Sequence, residues 1–316
     1  MSTRRPGMDN PYYGYAPLPA RPRLLWPNGA RVAFWVLLHL EYWELDPPTG
    51  AVRDARFVSE FGNFFPDYRT WSQREYGNRV GIFRILEVLD RHGIRATLAA
   101  GAAACERYPY LIAECLKRGY EVIAHGSHAT RMISSRMSEA EERSFIGDSI
   151  DAAARASGKR PRGWLGQDHG ESALTPRLLA EAGIDYLLDW PNDDQPYAMS
   201  VGGPLIALPH QLEWDDVQLL WLRRVESARY PALVGEAFEV LYEEGKTSGR
   251  SFSLGLHPWL FGMAHRIRYL DEALARISAH DAVWQATAGE ITDCFREQHL
   301  LPATAAAAPR SEPHAE

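Results

Sequence analysis

Three apolar runs in this chain end in side chains that handle protons. Phe34 to Leu40 runs into Glu41, Glu121 to Ala124 into His125, and Ser251 to Leu256 into His257. A carboxylate at the end of an apolar strand is partly buried. Burial should raise its pKa toward the range where it serves as a general acid or base. Pro258 holds His257 extended at its strand end, with Trp259 as a pocket wall, so His257 suits a general acid. His125 and His128 lie three apart. On a helical turn they would share a face, and with Glu41 they would form a two-imidazole, one-carboxylate metal site; in a loop only one would point inward. Glu41, His125 and His257 are therefore the candidate catalytic groups. Glu41, His125 and His128 are the candidate ligands of one divalent metal, zinc foremost, with a metal-free site as the alternative.

A second group of residues could shape a pocket. The stretch Asp189 to Tyr197 is dense in carboxylates and bounded by Trp190 and Tyr197, which suits stacking on a planar or sugar ring. Arg162-Gly163-Trp164-Leu165-Gly166 offers close backbone approach, useful for an oxyanion. Trp164, Trp190, Asn192, Asp193 and Trp259 are the expected substrate-binding residues. His169, Glu171, Glu213 and Asp216 are weaker candidates. His39, His92, His210, His265, His280 and His299 read as structural or surface histidines. No GxSxG, P-loop or HExxH occurs, so nothing supports a serine hydrolase, a nucleotide-phosphate site or a zincin.

These residues need a scaffold that gathers strand ends. Strands are expected over 31–40, 95–100, 121–124, 162–165, 186–189, 251–256 and 283–286, with further candidates at 205–208 and 217–220. Helices are expected over 80–92, 109–118, 138–156, 175–183, 232–244, 267–278 and 288–298. Ser138 with Glu141 forms a capping box, and Thr175 with Pro176 reads as N-cap and first helical residue. Strands alternating with helices imply a parallel sheet covered by helices, and about seven such units fit a distorted (β/α)7 barrel. No GxGxxG follows the first strand, which leaves a dinucleotide fold unsupported. Residues 1–30 read as an irregular arm, 31–299 as the barrel domain and 300–316 as a disordered tail. The connection over 46–77 carries many aromatics and is long enough to cover a small site.

Composition narrows the partners. The 316 residues are 46% hydrophobic and 24% charged, with a formal net charge of -7. Lacking clustered Lys and Arg, the chain is expected to bind neither nucleic acid nor membrane, and to act on a small molecule. Three cysteines without a CxxC argue against a disulfide framework. No secretory signal or 18-residue apolar stretch is visible, so a cytoplasmic location is expected.

Several of these segments together resemble the polysaccharide deacetylase superfamily, carbohydrate esterase family 4. They are Arg162-Gly163-Trp164 after Lys159-Arg160-Pro161, Asn192 to Tyr197, and Leu256-His257-Pro258-Trp259. The resemblance covers roughly 25–295 and is nearest the branch of allantoinases and cyclic-imide hydrolases. It implies a distorted (β/α)7 barrel, hydrolysis of a non-peptide carbon–nitrogen bond, His257 as general acid and, on analogy with the family, a homo-oligomer. The family's aspartate pair after the first strand is replaced by Leu40-Glu41-Tyr42, and its second metal histidine would fall at Ala129, whereas the histidine stands at 128. The expected activity is hydrolysis of a small cyclic amide, imide or ureide. An N-deacetylase of an acetylated sugar or polysaccharide is the alternative, and a non-catalytic carbohydrate- or metabolite-binding protein is the third reading.

Overall fold

The computed structural model describes residues 10–48 and 66–301. The central strand β1 (Val32–Leu40) is buried along its whole length. It is followed by β2 (Thr97–Ala100), β3 (Glu121–Ala124), β4 (Gly163–Trp164), β5 (Tyr186–Leu187), β6 (Tyr197–Ala198), β7 (Ile206–Ala207), β8 (Arg250–Leu256) and β9 (Val283–Gln285). The sheet order is β6-β7-β5-β4-β3-β2-β1-β8. Every pairing is parallel except the short antiparallel contact of β6 with β7. One edge of β1 is covered by β8 over Val32–Leu38. The other edge is shared: Val32–Phe34 pair with β9 and Leu37–Leu40 with β2. A strand paired on both edges and covered on both faces is expected to be apolar, and β1 is so except for His39 near its carboxyl end.

The sheet curls into a partial barrel, and strand alternation sorts its side chains into two cores. Phe34, Val36, Leu38 and Leu40 of β1 join Phe252, Leu254 and Leu256 of β8 in the outer core, beneath the helices. Ala33, Trp35 and Leu37 join Ile123, Leu165, Leu188 and Leu208 inside the curl. The gap between β7 and β8 is bridged by loop residues: Ser251 N–H donates to Asp194 O (2.8 Å), and Trp214 Nε1 donates to Ser253 O (2.7 Å).

The helices are α1 (Tyr68–Tyr76), α2 (Ile82–Arg91), α3 (Ala102–Arg107), α4 (Pro109–Lys117), α5 (Glu139–Ser157), α6 (Thr175–Glu181), α7 (Tyr230–Glu244), α8 (Pro258–Phe261), α9 (Ile267–Ser278) and α10 (Ala288–His299). The capping box of Ser138 and Glu141 starts α5, and Gly158 in the left-handed region (φ 72°) ends it. Thr175 is not an N-cap. It occupies the first turn of α6, where its hydroxyl bonds the buried Glu142 carboxylate.

Two other expectations are corrected. Val217–Leu222 is a π-helical turn rather than a strand, because the segment must swing Asp215 and Asp216 toward β8. The connection over 46–77 contains α1, capped by Asp67. Phe57, Phe61, Phe64 and Phe65 within it lie outside the described residues, as do residues 1–9 and most of the expected tail. From Asn10 onward the arm lies against the domain, with Leu24 and Trp26 buried and Trp26 Nε1 donating to Arg250 O (2.8 Å). No helix among the described residues is long and apolar enough to cross a membrane.

Candidate active site

The inward parity of β1 continues past Leu37 to His39 and then Glu41, so one strand delivers both to the open end of the curl. The adjacent β8 is paired in register, Leu38 with Leu256, which sets His257 beside His39. Their rings stack at a centroid distance of 3.9 Å and 14°. Strand β3 delivers His125, whose ring lies 5.3 Å from His39 and whose Nε2 is 3.4 Å from Glu41 Oε1. His125 Nδ1 lies 2.8 Å from the Leu165 carbonyl. A carbonyl only accepts, so Nδ1 donates to it, and Nε2 is the atom turned toward Glu41.

The side chain that organises His257 is Asp216. Its Oδ1 lies 2.7 Å from His257 Nδ1, and its Oδ2 accepts the His257 backbone N–H at 2.7 Å. Both partners are buried, and the clamp leaves only Nε2 of His257 to face a substrate. Burial alone would depress the imidazole, but the charges of Asp216, Asp215 and Glu41 outweigh it and carry His257 up to about 9. Glu41 shows the opposite balance. Burial pushes it up, as the sequence predicts, but the His125 contact and the field of His257 outweigh burial and hold it below the usual carboxylate range. The site therefore faces an ionised carboxylate toward a protonated imidazole at neutral pH. His39 stays neutral, pulled well below the ordinary range by burial and by the imidazoles around it.

A second shelf of groups lies toward β5 and β7. His210 follows β7, with Nδ1 2.8 Å from Ser253 Oγ and Nε2 3.5 Å from Asp215 Oδ2. His169 stacks on His210 at 6.0 Å, and burial with that neighbour pulls it down to about 3. Asp189 and Glu171 form a buried carboxyl pair. Burial and the charge of Glu171 push Asp189 far up, while burial and the charge of Glu142 push Glu171 to about 7, so the pair retains a proton. The Gly166 N–H expected to face an oxyanion donates instead to Asp189 Oδ1 (2.7 Å).

The expected site residues thus separate. Glu41, His125 and His257 converge. His128 lies apart, its Nε2 3.9 Å from Glu44 Oε1 and its ring against Tyr42. Trp164 is buried in the outer core, because Leu165 is the inward residue of that strand. Trp259 is buried against the Arg74 guanidinium, which lies 3.2 Å from its ring centroid and is also flanked by Trp43 and Trp221. Trp190 packs edge-on to Tyr12 and Tyr13 and donates to Glu171 (2.9 Å). Asn192 and Asp193 line a separate cavity of about 500 Å³ under the N-terminal arm, where Arg21 grips Asp193 (2.7 Å). The sequence reading undervalued His39, His210, Asp215 and Asp216. For His39 a signal existed, since it shares the parity of Glu41 on a strand.

Glu41, His125 and His128 do not fit a shared metal, since His128 is turned toward Glu44. The donor groups that do lie within 4.8 Å of one another, among the described residues, are His39–Glu41–His257, His39–His210–Asp215 and Asp215–Asp216–His257.

Residues 75–187 match the polysaccharide deacetylase family model. A Schizosaccharomyces pombe protein named "Putative polysaccharide deacetylase" is 29% identical, over 87% of this chain and 93% of its own. The crystal structure of a probable polysaccharide deacetylase from Pseudomonas aeruginosa PAO1 superposes with a TM-score of 0.78 at 26% identity, covering 89% of this chain and 96% of that one. The structure titled Puue allantoinase gives the same TM-score, identity and coverage. Over residues 75–187 the chain is similar to a polysaccharide deacetylase domain, and its curled (β/α) barrel is the fold of these structures.

Proposed function

We propose that the protein hydrolyses a non-peptide carbon–nitrogen bond in a small cyclic amide, imide or ureide, with Glu41 as base and His257 as acid. The observation that carries this reading is their pairing across neighbouring strand ends: an anionic carboxylate held by His125 and a cationic imidazole clamped by Asp216. Glu41 takes a proton from water as the oxygen attacks the carbonyl carbon. His257 Nε2 gives its proton to the ring nitrogen as the carbon–nitrogen bond breaks. One water is consumed, and in a cyclic substrate both new ends stay on one product. His39 stacks on His257 and fixes the plane of its ring. Because Glu41, His125 and His128 do not converge, no step is assigned to a metal held by them.

The similarity to Puue allantoinase favours a cyclic ureide. The match to the deacetylase family model keeps an N-acetylated sugar as the second reading. Wild-type protein and Glu41→Gln are assayed on allantoin, succinimide, dihydrouracil and an N-acetylglucosamine oligomer. Turnover of a cyclic substrate, reduced about 10²–10⁴-fold in Glu41→Gln with substrate binding retained, is the expected result. Release of acetate from the oligomer alone moves the assignment to a deacetylase. Undiminished turnover by Glu41→Gln removes Glu41 as the base.

A further inference from the structure

Beneath the Glu41–His257 pair lies a set of side chains that takes no proton in the proposed reaction, although one of them, His39, stacks on His257. We propose that His39, His210 and Asp215 form a binding site for one divalent transition-metal ion, separate from the Glu41–His125–His128 set. Their donor atoms all lie within 4.8 Å of one another, and all three residues are buried.

Three independent features prepare these atoms for a cation. The first is their lack of other partners. His39 is 6% exposed, and neither of its ring nitrogens has a hydrogen bond. His210 Nε2 is likewise buried without one. Buried polar atoms are rarely left in this state, and a bound ion is one of the few things that satisfies them together.

The second feature is the outer layer of contacts. Ser253 Oγ sits 2.8 Å from His210 Nδ1; a hydroxyl can accept there, which would leave the Nε2 lone pair facing the site. Asp215 Oδ1 is occupied by the backbone N–H groups of Val217 (2.9 Å) and Gln218 (3.4 Å), so Oδ2 is the oxygen turned toward His210. Metal-ligating imidazoles and carboxylates are characteristically oriented by such contacts on their far atoms.

The third feature is Gly255. On the inner face of β8, a Cβ at this position would stand 2.0 Å from Asp215 Oδ2 and 2.8 Å from His210 Nε2. The missing side chain is what lets both donors enter the space beneath His257.

Two imidazoles and one carboxylate select zinc and its first-row neighbours over magnesium or calcium, which prefer all-oxygen sets. Three protein ligands would leave a fourth position for water.

The test uses the full-length protein, stripped with a chelator and titrated with Zn²⁺ and with Co²⁺. The expected result is one equivalent bound, with visible Co²⁺ bands of a four-coordinate site. His210→Ala and Asp215→Asn should each weaken binding at least about 100-fold, whereas His128→Ala should not. Zinc-edge absorption spectroscopy of the loaded wild type provides a reading independent of variant folding, and two imidazoles at about 2.0 Å are expected. Failure of the wild type to bind either ion would overturn the proposal. So would retention of the metal by folded His210→Ala and Asp215→Asn alongside its loss in His128→Ala, and so would a coordination shell with fewer than two imidazoles. None of these readouts depends on which substrate is turned over.

Discussion

Asp216→Asn isolates the proposed acid without touching its position. The amide can still accept the His257 backbone N–H, now made by Asp216 Oδ2, so the strand end should keep its place. The change removes the carboxylate charge 2.7 Å from His257 Nδ1, the largest of the influences raising that imidazole. At pH 7.5 a histidine held at about 9 is roughly 97% protonated, while one at the ordinary 6.5 is roughly 9% protonated. Burial, still present in the variant, then works against only the charges of Asp215 and Glu41. A return to the ordinary value would lower the acid-competent fraction about tenfold at pH 7.5, and a misoriented ring would add to the loss. The sign is fixed by the role. A general acid works below its pKa, so kcat/KM declines on the alkaline side as His257 loses its proton. In wild-type protein that limb should lie near 9, and in Asp216→Asn it should move to lower pH. The assay is a pH profile of kcat/KM on the substrate found in the panel, using chelator-treated protein so that no cation adds to the local field. An alkaline limb left in place by Asp216→Asn would refute His257 as the titrating acid.

Two further predictions concern the scaffold. Gly81 in the π-helical turn before α2 touches α8 backbone to backbone, and a Cβ there would lie 2.2 Å from Pro258 O. Gly81→Ala should cost about 1–3 kcal/mol as overpacking, lowering the thermal midpoint by several degrees, and should depress kcat because α8 begins at the residue after His257; an unchanged midpoint would count against this packing. Arg21→Ala removes the clamp on Asp193 that pins the N-terminal arm. The cost should be about 1 kcal/mol or less, read as faster limited proteolysis within residues 10–26, and equal cleavage rates in both proteins would mean that the arm is held elsewhere.

What the sequence revealed of the site depended on whether the chemistry was written along one strand or across several. Glu41, His125 and His257 each end an apolar run, and an apolar run ending in a polar side chain is visible without knowing its neighbours. His39 was equally visible by parity, two residues before Glu41, yet an imidazole inside an apolar strand reads first as a core residue. Trp164 shows the same rule failing in the other direction. In a strand of two residues, parity has no run to establish it, and only the burial of Leu165 inside the curl reveals that Trp164 points out.

Asp215 and Asp216 are harder. Their importance comes from a crossing segment whose apolar run, Val217 to Leu220, imitates a strand but winds as a π-helical turn, since short apolar runs do not discriminate helix from strand. That turn places Asp216 against His257 and Asp215 against His210. The Asp216–His257 contact has no local signature, because it joins residues 41 apart. His210 and Asp215 are near in sequence, but the Ser253 hydroxyl beside His210 comes from across the barrel gap. The pKa of Glu41 follows the same logic. Burial is a property of one strand and is readable from it, whereas the imidazoles that outweigh burial arrive from β3 and β8. Sequence parity therefore identifies which groups enter the barrel, and the crossing connections decide their charge. The charge state of this site is accordingly most sensitive to substitutions at Asp215 and Asp216, which no apolar strand run would have marked.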